Sequence, residues 1–428
     1  SAAGPDGLHP RVLHETRDTV SSELASIFRE TLDTGVIPED WSLADVIPIY
    51  KKGSKDDPNN YRPISLTSIP CKVIESIIRD QLMDHLTTED LISDAQHGFR
   101  PGRSCATQLL IAVDEWSKSI ERGDPIDVLY LDLAKAFNTV STRRLLHKVA
   151  AHGIRGKLLR WIEAFLVGRK QRVVIGNSCS DWIPVPSGVP QGSVLAPTLF
   201  LLYVNDLPSV LNCEVKIFAD DSKLYQAVRN PGDTLSLQSD LDAAVRWSAE
   251  WQLTFNADKC KVLHIGRHAL KQDYRLSGTA LQAVTEERDL GVIVDSDLKF
   301  RQQAAAAVSK ASRIMAVIRR SFSLLDQTTL PLLFKTLVRP HLEYGNVVWG
   351  PFNRTDQLRV ERVQRRATKL VQDIRHLPYD ARLKSLKLPS LRYRRRRGDM
   401  IAVYQLIHGK LNLKPEDFFD RTRARETR

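Results

Sequence analysis

The 428-residue sequence predicts an α+β fold, and three features of the chain indicate it. Apolar segments of alternating character, residues 126–131 and 216–228, are typical of strands. Segments with apolar residues at helical spacing, such as residues 234–251, follow or separate these strands. From Phe300 onward the pattern is helical, so the chain is predicted to end in a helical region.

Composition limits the class of protein. The hydrophobic content of 42% is typical of a globular chain, and no apolar run approaches the length that crosses a bilayer. The opening residues, 1–5, are small and polar, so no signal peptide is predicted, and the missing initial Met predicts a fragment or a processed piece. The five scattered cysteines lack Cys-x-x-Cys spacing, which indicates reduced intracellular thiols rather than a zinc site or a disulfide framework.

The positive charge of the chain is concentrated near its C-terminus. The formal net charge is +11, and residues 354–428 alone hold 21 Lys and Arg against 9 Asp and Glu, a net charge of +12. Such an excess predicts a surface that attracts a polyanion, above all nucleic acid. The alternative is a solvated helix face, which explains most charge runs.

The N-terminal segment predicts a helix followed by a cationic hairpin. The helix follows a Gly-Pro-Asp-Gly turn within residues 1–40. A strand, Trp41 to Tyr50, then leads into Lys51, and the segment around Arg62 forms the second arm of the hairpin. Cations on both arms would grip a triphosphate, whereas the alternative for the lysines is a solvated hairpin tip.

A loop between the next two predicted helices has a composition that suits nucleic acid. The helices are residues 69–86 and a segment ending at Ile120, which Ser104 is predicted to cap. In the loop, Arg100 and Arg103 stand among two glycines and an aromatic residue. That composition suits contact with the backbone of a nucleic-acid strand.

Two adjacent carboxylates, Asp220 and Asp221, lie where the segment 216–228 is predicted to bend as a hairpin. Neighbouring carboxylates repel each other, and a bound divalent cation relieves that repulsion. Hard cations such as Mg²⁺ prefer oxygen ligands, so the pair predicts a metal site. The alternative is an ordinary Asp-Asp turn.

A third carboxylate, Asp132, follows the strand 126–131 and precedes a predicted helical segment, Ala134 to Val140. It therefore lies at the carboxyl end of a strand, where ligand sites of mixed sheets gather. With Asp220 and Asp221 it would hold two metal ions about 4 Å apart, the arrangement that drives in-line phosphoryl displacement. The alternative is that Asp132 caps the next helix.

A Gly- and Pro-rich loop, Ser187 to Pro197, opens onto an apolar helix predicted at residues 199–207. Two helices within residues 141–168 and a strand at residues 171–175 precede it. Its glycines permit close approach of the backbone to a nucleotide or a nucleic-acid strand. The alternative is a simple helix-entry turn, with the proline in the first turn of the helix.

Three of these motifs together resemble those of one family. They read Tyr-Leu-Asp-Leu-Ala-Lys-Ala-Phe at 130–137, Ser-Gly-Val-Pro-Gln-Gly-Ser at 187–193 and Phe-Ala-Asp-Asp at 218–221. Over nearly its whole length the chain resembles the reverse transcriptases of non-LTR retrotransposons, closest to the Jockey and CR1 type of LINE elements. The resemblance implies a right-hand polymerase with fingers, a palm built on an antiparallel sheet, and a helical thumb.

The resemblance also implies a division of the chain. Residues 1–120 are expected to form the fingers, to which residues 141–185 also contribute. Residues 121–298 are expected to form the palm, with Leu290 to Val294 as its last strand. Residues 299–428 are expected to form a basic thumb that holds a duplex by its phosphates. The thumb arginines predicted to do so open its last helix and are Arg394, Arg395, Arg396 and Arg397.

The resemblance assigns roles to individual residues. The catalytic, metal-binding positions are Asp132, Asp220 and Asp221, and Leu133 is counted with them as a metal-binding position. The nucleotide-binding positions are Lys51, Arg62, Phe137, Gln191, Gly192 and Lys259. Arg100 and Arg103 belong to the motif next to the template. The pair Lys259 and Lys261 matches the fourth palm motif, where one lysine assists the leaving pyrophosphate, and the alternative for either is a solvated lysine.

Two neighbouring positions bear on substrate choice and activity. Phe137 lies five residues beyond Asp132, where related polymerases place an aromatic steric gate against a ribose 2′-OH. The alternative is a core phenylalanine, and the two roles are compatible. Asn138 departs from the family's Ala-Phe-Asp pattern, which favours reduced activity or a decayed element.

The implied reaction is attack of a primer 3′-OH on the α-phosphate of a dNTP, templated by RNA and assisted by two Mg²⁺ ions, or Mn²⁺ in their place. The implied partners are an RNA template, a DNA primer and dNTPs, without a membrane and with an endonuclease domain upstream of this chain. The implied location is intracellular, in the nucleus or a cytoplasmic ribonucleoprotein. One alternative is a decayed remnant that only binds RNA or an RNA–DNA hybrid, and another is an RNA polymerase built on the same palm, against which Phe137 argues.

Overall fold

The computed structural model of the protein describes residues 3–419, so the predictions for residues 1–2 and 420–428 lie outside the described part of the chain. The first elements are α1 (Pro10–Glu15), α2 (Arg17–Thr34), α3 (Glu39–Ser42), β1 (Leu43–Tyr50), a 3-10 turn (Pro58–Asn60), β2 (Tyr61–Leu66), α4 (Ile69–Thr88) and α5 (Cys105–Glu121). Trp41 lies in α3 rather than in the predicted strand, and its ring packs edge-on against Phe28 of α2.

The predicted cationic hairpin is present and forms part of a five-stranded sheet. β1 and β2 pair antiparallel, with Tyr50 opposite Tyr61. A later strand, β4 (Lys170–Ile175), pairs with β1 in parallel, and β5 (Ser178–Cys179) and β6 (Ile183–Pro184) pair with β4. Residues from the middle of the chain therefore share a sheet with the N-terminal strands.

A second five-stranded sheet lies at the centre of the fold, in the order β12–β9–β3–β8–β7. Its strands are β3 (Ile126–Asp132), β7 (Glu214–Phe218), β8 (Asp221–Ala227), β9 (Lys261–Ile265) and β12 (Gln282–Val284). β3 is the middle strand and runs antiparallel to β8 and β9, which confirms the predicted antiparallel sheet. Both faces of β3 are covered, which explains why its sequence is nearly continuously apolar.

Helices from the middle of the chain cover one face of this central sheet. They are α6 (Ala136–Thr139), α7 (Thr142–Ala151), α8 (Gly156–Leu166), α9 (Ala196–Val204) and α10 (Pro231–Glu250), with a 3-10 turn at Leu207–Val210. Trp161, Phe200 and Leu241 of these helices share a core with Leu129 and Leu224 of the sheet. Burying one such side chain contributes about 1.5–3 kcal/mol, so this core fixes the helices on the sheet.

The other face is covered by α5 and by the C-terminal part of the chain. The later elements are the hairpin β10 (Arg275–Leu276) and β11 (Thr279–Ala280), β13 (Glu286–Asp289), β14 (Val292–Asp295), α11 (Arg301–Ser321), α12 (Thr329–Leu333), a π-helical turn (Phe334–Val338), α13 (Arg339–Glu343), α14 (Asn346–Trp349), α15 (Arg354–Thr368), α16 (Tyr379–Ser385) and α17 (Leu391–Ile407), with 3-10 turns at Gln372–Ile374 and Pro415–Asp417. Trp116 of α5 packs edge-on against Tyr225 of β8, and the same core extends to Phe334. Within residues 3–419, no helix is long and apolar enough to span a bilayer.

The strand predicted at Leu290 to Val294 is present in part, as β14, and it lies outside the central sheet. β14 pairs antiparallel with β13 in a separate two-stranded sheet. Leu290, with φ of 46°, and Gly291, with φ of 87°, form the tight turn that sends the chain back along β13. Val292 and Val294 are buried in the core that the C-terminal helices share.

Candidate active site

Two of the three predicted aspartates face each other across the central sheet. Asp132 is the last residue of β3, and its partner in the antiparallel ladder is Asp221, the first residue of β8. Directly opposed residues point their side chains to the same face of a sheet. Asp220 lies in the turn between β7 and β8, after Ala219, whose φ of 58° suits a tight hairpin turn. The hairpin predicted at the Asp pair is therefore present.

The electrostatics of these carboxylates reflect lost hydration and mutual repulsion. Loss of hydration raises the pKa of Asp221 to about 6, and the charges of Asp220 and Asp132 contribute to this rise. Loss of hydration also raises the pKa of Asp220, while the positive charges of Arg62 and Lys51 oppose the rise. Negative charge that is crowded in this way favours a bound cation.

The carboxylates do not form a preassembled metal cage. Among the residues from 3 to 419, no group of three His, Cys, Asp or Glu side chains is arranged to hold a metal ion. The predicted sharing of metal ions by the three aspartates stays a prediction. Lys259 lies beside this group, and its Nζ is 2.9 Å from Oδ2 of Asp132.

The donor atoms nevertheless fit a hard divalent cation, because carboxylate and carbonyl oxygens are its preferred ligands. Leu133 forms an antiparallel bridge with Phe255. The hydrogen bonds of that bridge are made by the residues on either side of Leu133. The N–H of Ala134 donates to the carbonyl of Thr254, and the carbonyl of Asp132 accepts from the N–H of Asn256. The bridge therefore does not use the carbonyl of Leu133.

The loop 187–193 is fixed against the segment that follows Asp132. The backbone N–H of Gly188 donates to the carbonyl of Val140 at 2.8 Å, and the N–H of Val189 donates to the carbonyl of Phe137 at 2.8 Å. The segment itself is less helical than predicted, because Lys135 adopts a left-handed φ of 49° and α6 spans four residues.

The other end of this loop contacts the hairpin sheet. The carbonyl of Gln191 accepts a hydrogen bond from the N–H of Ser65, near the end of β2, at 2.8 Å. Gly192 has φ of 141°, and a Cβ at this position would lie 2.2 Å from the carbonyl oxygen of Ser65. Glycine is therefore required where the loop backbone passes close to the backbone of β2. The structure thus brings both predicted nucleotide-side residues to the junction of the two sheets.

The cations of the hairpin lie on one face. Arg62 is opposite Ile49, and the backbone N–H of Lys51 donates to the carbonyl of Asn60 at 2.8 Å. Positions two apart along a strand point to the same side, so Lys51 and Arg62 share a face of the hairpin. Both residues are exposed, and both charges act on the carboxyl of Asp220.

Phe137 and Asn138 have different surroundings. The ring of Phe137 stacks on Phe200, with ring centroids 4.6 Å apart and planes 14° apart, and its side chain is partly buried. Asn138 is exposed, and its backbone carbonyl accepts a hydrogen bond from Oγ of Ser187 at 3.0 Å. The substitution at position 138 therefore changes the surface beside the loop.

Arg100 and Arg103, which were predicted to lie next to a template, are held by the loop that carries them. Nη1 of Arg100 donates to the carbonyl of Ser93 at 2.9 Å, and Nη2 of Arg103 donates to Oδ1 of Asp94 at 2.9 Å. The two side chains are 8% and 7% exposed. The loop folds back on itself and holds both guanidinium groups, although the buried Nε of Arg103 has no hydrogen-bond partner. The predicted template contact of these two residues stays a prediction.

The four arginines at the start of α17 differ in their exposure to solvent. Nη2 of Arg394 donates to Oε2 of Glu343 at 2.7 Å, and Arg395 is buried. Both side chains make internal contacts, and their predicted phosphate contact stays a prediction. Arg396 and Arg397 are exposed, so the predicted phosphate contact is retained as a prediction for these two.

Sequence analysis missed Gln96, which supports the catalytic turn. Oε1 of Gln96 accepts hydrogen bonds from the N–H of Ala219 at 3.1 Å and from the N–H of Gly98 at 2.8 Å. Next to it, the N–H of His97 donates to the carbonyl of Ile217 in β7 at 2.8 Å. The segment therefore braces the edge of the hairpin that carries the Asp pair, although Gln96 and Ala219 are 123 residues apart in sequence.

Glu75 of α4 is a second missed residue. It is fully buried, and its Oε2 accepts hydrogen bonds from the N–H groups of Val194 at 2.7 Å and Leu195 at 2.9 Å, at the start of α9. A carboxylate at a helix N-terminus satisfies otherwise unpaired N–H groups. Burial raises the pKa of Glu75, while these hydrogen bonds oppose the rise. A lone Glu in an otherwise apolar stretch of helix was the available signal.

The fold and the site define a class of protein. An antiparallel sheet that presents aspartates at a strand end and a hairpin turn, next to a glycine loop and a cationic hairpin, is the palm of a right-hand nucleic-acid polymerase. Residues 49–300 match the family described as "Reverse transcriptase (RNA-dependent DNA polymerase)". The chain belongs to the reverse transcriptase family.

Curated relatives agree with the predicted type. The chain is 28% identical over 435 residues to the "RNA-directed DNA polymerase from mobile element jockey" of Drosophila melanogaster. The aligned region covers 97% of this chain and 46% of the relative. It is 27% identical over 375 residues to the "Probable RNA-directed DNA polymerase from transposon BS" of the same species, which covers 82% of this chain and 40% of that relative. The resemblance to the Jockey type is confirmed, and the chain spans about half the length of these relatives. A solved apo telomerase from Candida Tropicalis, truncated from the C-terminal domain, is similar with a TM-score of 0.42 and 10% identity over 65% of this chain and 59% of that chain.

Proposed function

We propose that this chain is the polymerase region of a retrotransposon protein that copies RNA into DNA. The observation that carries the proposal is the pairing of Asp132 with Asp221 across the sheet, with Asp220 at the adjoining turn. Carboxylates in this arrangement support transfer of a nucleotide from a dNTP to a primer 3′-OH. The names of the relatives, RNA-directed DNA polymerases of mobile elements, support RNA as the template.

Divalent metal ions fit this site. Two Mg²⁺ ions, or Mn²⁺ in their place, would be held by the three aspartates and the carbonyl of Leu133. When bound, such ions lower the pKa of the 3′-hydroxyl and neutralise charge on the leaving pyrophosphate. The aspartates then act as ligands and need not accept a proton. Lys259 is about half exposed beside Asp132, so its ammonium group is available to contact the leaving pyrophosphate.

The remaining residues of the site bind and orient the nucleotide. Lys51 and Arg62 present two cations on one face of the hairpin, which suits a triphosphate. Gln191 and Gly192 hold the loop close to Ser65, so the loop backbone forms the wall of the same cleft. Phe137 occupies the position of a steric gate. RNA template, DNA primer and dNTPs are the proposed partners, and the nucleus or a cytoplasmic ribonucleoprotein is the proposed location.

Primer extension on an RNA template, with and without Mg²⁺, tests the proposal. The purified chain should extend a DNA primer only when the metal is present. Asp132→Asn and Asp220→Asn should each lower the rate by at least about 1000-fold, because each removes a charged ligand that stabilises the transition state by several kcal/mol. Circular dichroism and hybrid affinity should stay close to wild type. Extension at the wild-type rate by either variant would contradict the assignment.

The same experiment separates the active enzyme from a decayed remnant. Asn138 lies outside the group of aspartates and makes its contact with Ser187 through the backbone, which supports retained activity. A wild-type chain that binds an RNA–DNA hybrid and shows no metal-dependent extension would instead support the remnant.

A further inference from the structure

The carboxylate of Glu75 lies on the side of α4 that packs into the core. The residue is 0% exposed, and Ile74 and Ile78 on either side of it belong to that core. Removing an ionised carboxylate from water is costly unless hydrogen bonds or a counter-charge offset the loss. An apolar side chain would fill the same space without that cost. The groups that the carboxylate contacts therefore explain why a glutamate is suited to this position.

The carboxylate caps the start of α9 from another helix. Its Oε2 accepts hydrogen bonds from the N–H groups of Val194 at 2.7 Å and Leu195 at 2.9 Å. Leu195 is the N-cap residue of α9, and its own side chain makes no capping hydrogen bond. N–H groups at the start of a helix have no partner within the helix, so an acceptor from α4 meets this need. Glu75 therefore ties α4 to the residues that join the loop 187–193 to α9.

The earlier part of this loop is held by contacts between backbone groups. The N–H of Val189 donates to the carbonyl of Phe137 at 2.8 Å. The carbonyl of Gln191 accepts from the N–H of Ser65 at 2.8 Å. At the end of the loop, by contrast, the support comes from the side chain of Glu75, so a substitution there can remove it.

The position of Gln191 and Gly192 depends on the supports at both ends of the loop. The two residues lie between Val189 and Val194, which are held by Phe137 and Glu75, respectively. The backbone at Gly192 already touches the backbone of β2, so a shift of the loop changes the width of the cleft between them. Displacements near 1 Å in a reaction site cost about two orders of magnitude in rate.

A buried guanidinium group lies near the carboxylate. Arg169 is 3% exposed, and its Nη1 donates to the carbonyl of Phe165 at 2.9 Å, whereas its buried Nη2 has no hydrogen-bond partner. Burial lowers the pKa of Arg169, while the nearby Cys71 and Glu75 oppose that change. A positive charge in this place reduces the cost of burying the carboxylate.

We propose that Glu75 is a positioning residue for the incoming nucleotide. It acts through the loop, because it holds the start of α9 and with it the backbone of Gln191 and Gly192 beside the hairpin sheet. The nucleotide as the ligand of this loop rests on the proposed function. The hydrogen bonds need an acceptor oxygen rather than a charge. An amide oxygen in the same place therefore serves, and an apolar side chain of similar size leaves two N–H groups unpaired.

Two substitutions of similar size test the proposal. Glu75→Leu removes the acceptor, whereas Glu75→Gln keeps one oxygen for the N–H groups of Val194 and Leu195. Glu75→Leu should raise KM for dNTP at least about tenfold, with a smaller change in kcat and with hybrid affinity within about twofold of wild type. Glu75→Gln should recover most of this loss. Hydrogen exchange at Val194 and Leu195 should become at least about tenfold faster in Glu75→Leu than in wild type or Glu75→Gln.

Ile78→Ala is the control for a general loss of stability, since it opens a cavity in the same core one turn further along α4. An equal rise in KM for dNTP in this control would attribute the effect to a weakened fold. An equal rise in Glu75→Gln, or no rise in Glu75→Leu, would overturn the proposal.

Two readouts keep this proposal apart from the proposed function. A wild-type chain that shows no primer extension would contradict the proposed function. Hydrogen exchange at Val194 and Leu195 does not depend on activity, so equal exchange in wild type and Glu75→Leu would contradict the anchor in an active or an inactive chain.

Discussion

Phe137 is packed against the core and is also proposed to act in the site. One side of its ring is stacked on Phe200 with centroids 4.6 Å apart, so the ring has a fixed position. Part of the side chain remains exposed, five residues beyond Asp132. A rigid ring of this kind discriminates better than a mobile one, because it cannot move aside for a 2′-hydroxyl.

Shortening Phe137 should therefore change sugar selection. Phe137→Ala should lower the preference for dNTP over rNTP at least about tenfold, a change of about 1.4 kcal/mol in relative transition-state binding. Phe137→Leu keeps most of the bulk and should stay close to wild type. The measurement is kcat/KM for matched dNTP and rNTP pairs. If Phe137→Ala lowers the urea midpoint and leaves discrimination intact, the residue belongs to the core alone.

Local sequence signals predicted where a residue lies in the fold when that position depends on its neighbours in sequence. The aspartates could be predicted because a strand end and a hairpin turn are local features, visible in Ile126 to Asp132 and around Asp220. The burial of Arg100 and Arg395 could not be predicted, because it depends on which distant surface each guanidinium group meets. For a charged side chain in a loop or helix, the local sequence does not show whether the side chain faces water or the core.

At the scale of elements, the catalytic hairpin depends on a segment far away in sequence. Residues 95–98 lie along β7, and Gln96 holds the N–H of Ala219 immediately before the Asp pair. His97 is buried in the same segment, and burial lowers its pKa to about 3, with the charge of Arg103 acting in the same direction. His97 is therefore uncharged at neutral pH where it packs beside the turn. Strands and helices could be predicted from periodicity, but this pairing has no periodic signal.

Gly98 offers a direct test of the brace. A Cβ at Gly98 would lie 2.5 Å from the backbone nitrogen of Ala219, so Gly98→Ala should displace the turn that presents Asp220. We expect extension to fall at least about tenfold, because displacements near 1 Å cost about two orders of magnitude in rate. Hybrid affinity should stay within about twofold.

Gly123→Ala is the matched control for this substitution. A Cβ at Gly123 meets open space, although its φ of 88° adds backbone strain. Any loss of activity in the control measures strain alone. Equal losses in the two alanine variants would argue against a specific brace at the catalytic turn.

At the scale of the whole molecule, the central sheet is shared between two cores. Leu129 and Leu224 belong to the core of the middle helices, whereas Val128 and Tyr225 belong to the core that continues into the C-terminal helices. Alternating residues of the same strands thus build both sides. The predicted boundary near residue 298 marks a change from sheet to helix, but the apolar core crosses it. That continuity depends on which faces meet in three dimensions, so composition and periodicity did not reveal it.

A buried ion pair joins the central sheet to the two-stranded sheet of β13 and β14. Lys223 of β8 donates to the carboxylate of Asp289 of β13, and the side chains are 3% and 6% exposed. Loss of hydration lowers the pKa of Lys223, while the charge of Asp289 opposes that change. Removing one partner would leave the other charge buried without compensation, which is far more costly than removing both.

A double-mutant cycle should reveal this coupling. Lys223→Met should lower the free energy of unfolding by about 3–5 kcal/mol, because it leaves the carboxylate of Asp289 buried and unpaired. The double variant Lys223→Met, Asp289→Leu should recover most of that loss, since two apolar side chains fit a buried site without desolvated charge. Urea unfolding followed by tryptophan fluorescence and circular dichroism measures both. The pair lies between the central sheet and the two-stranded sheet of β13 and β14. Each variant should therefore still unfold in one transition. Two separate transitions would contradict a shared core.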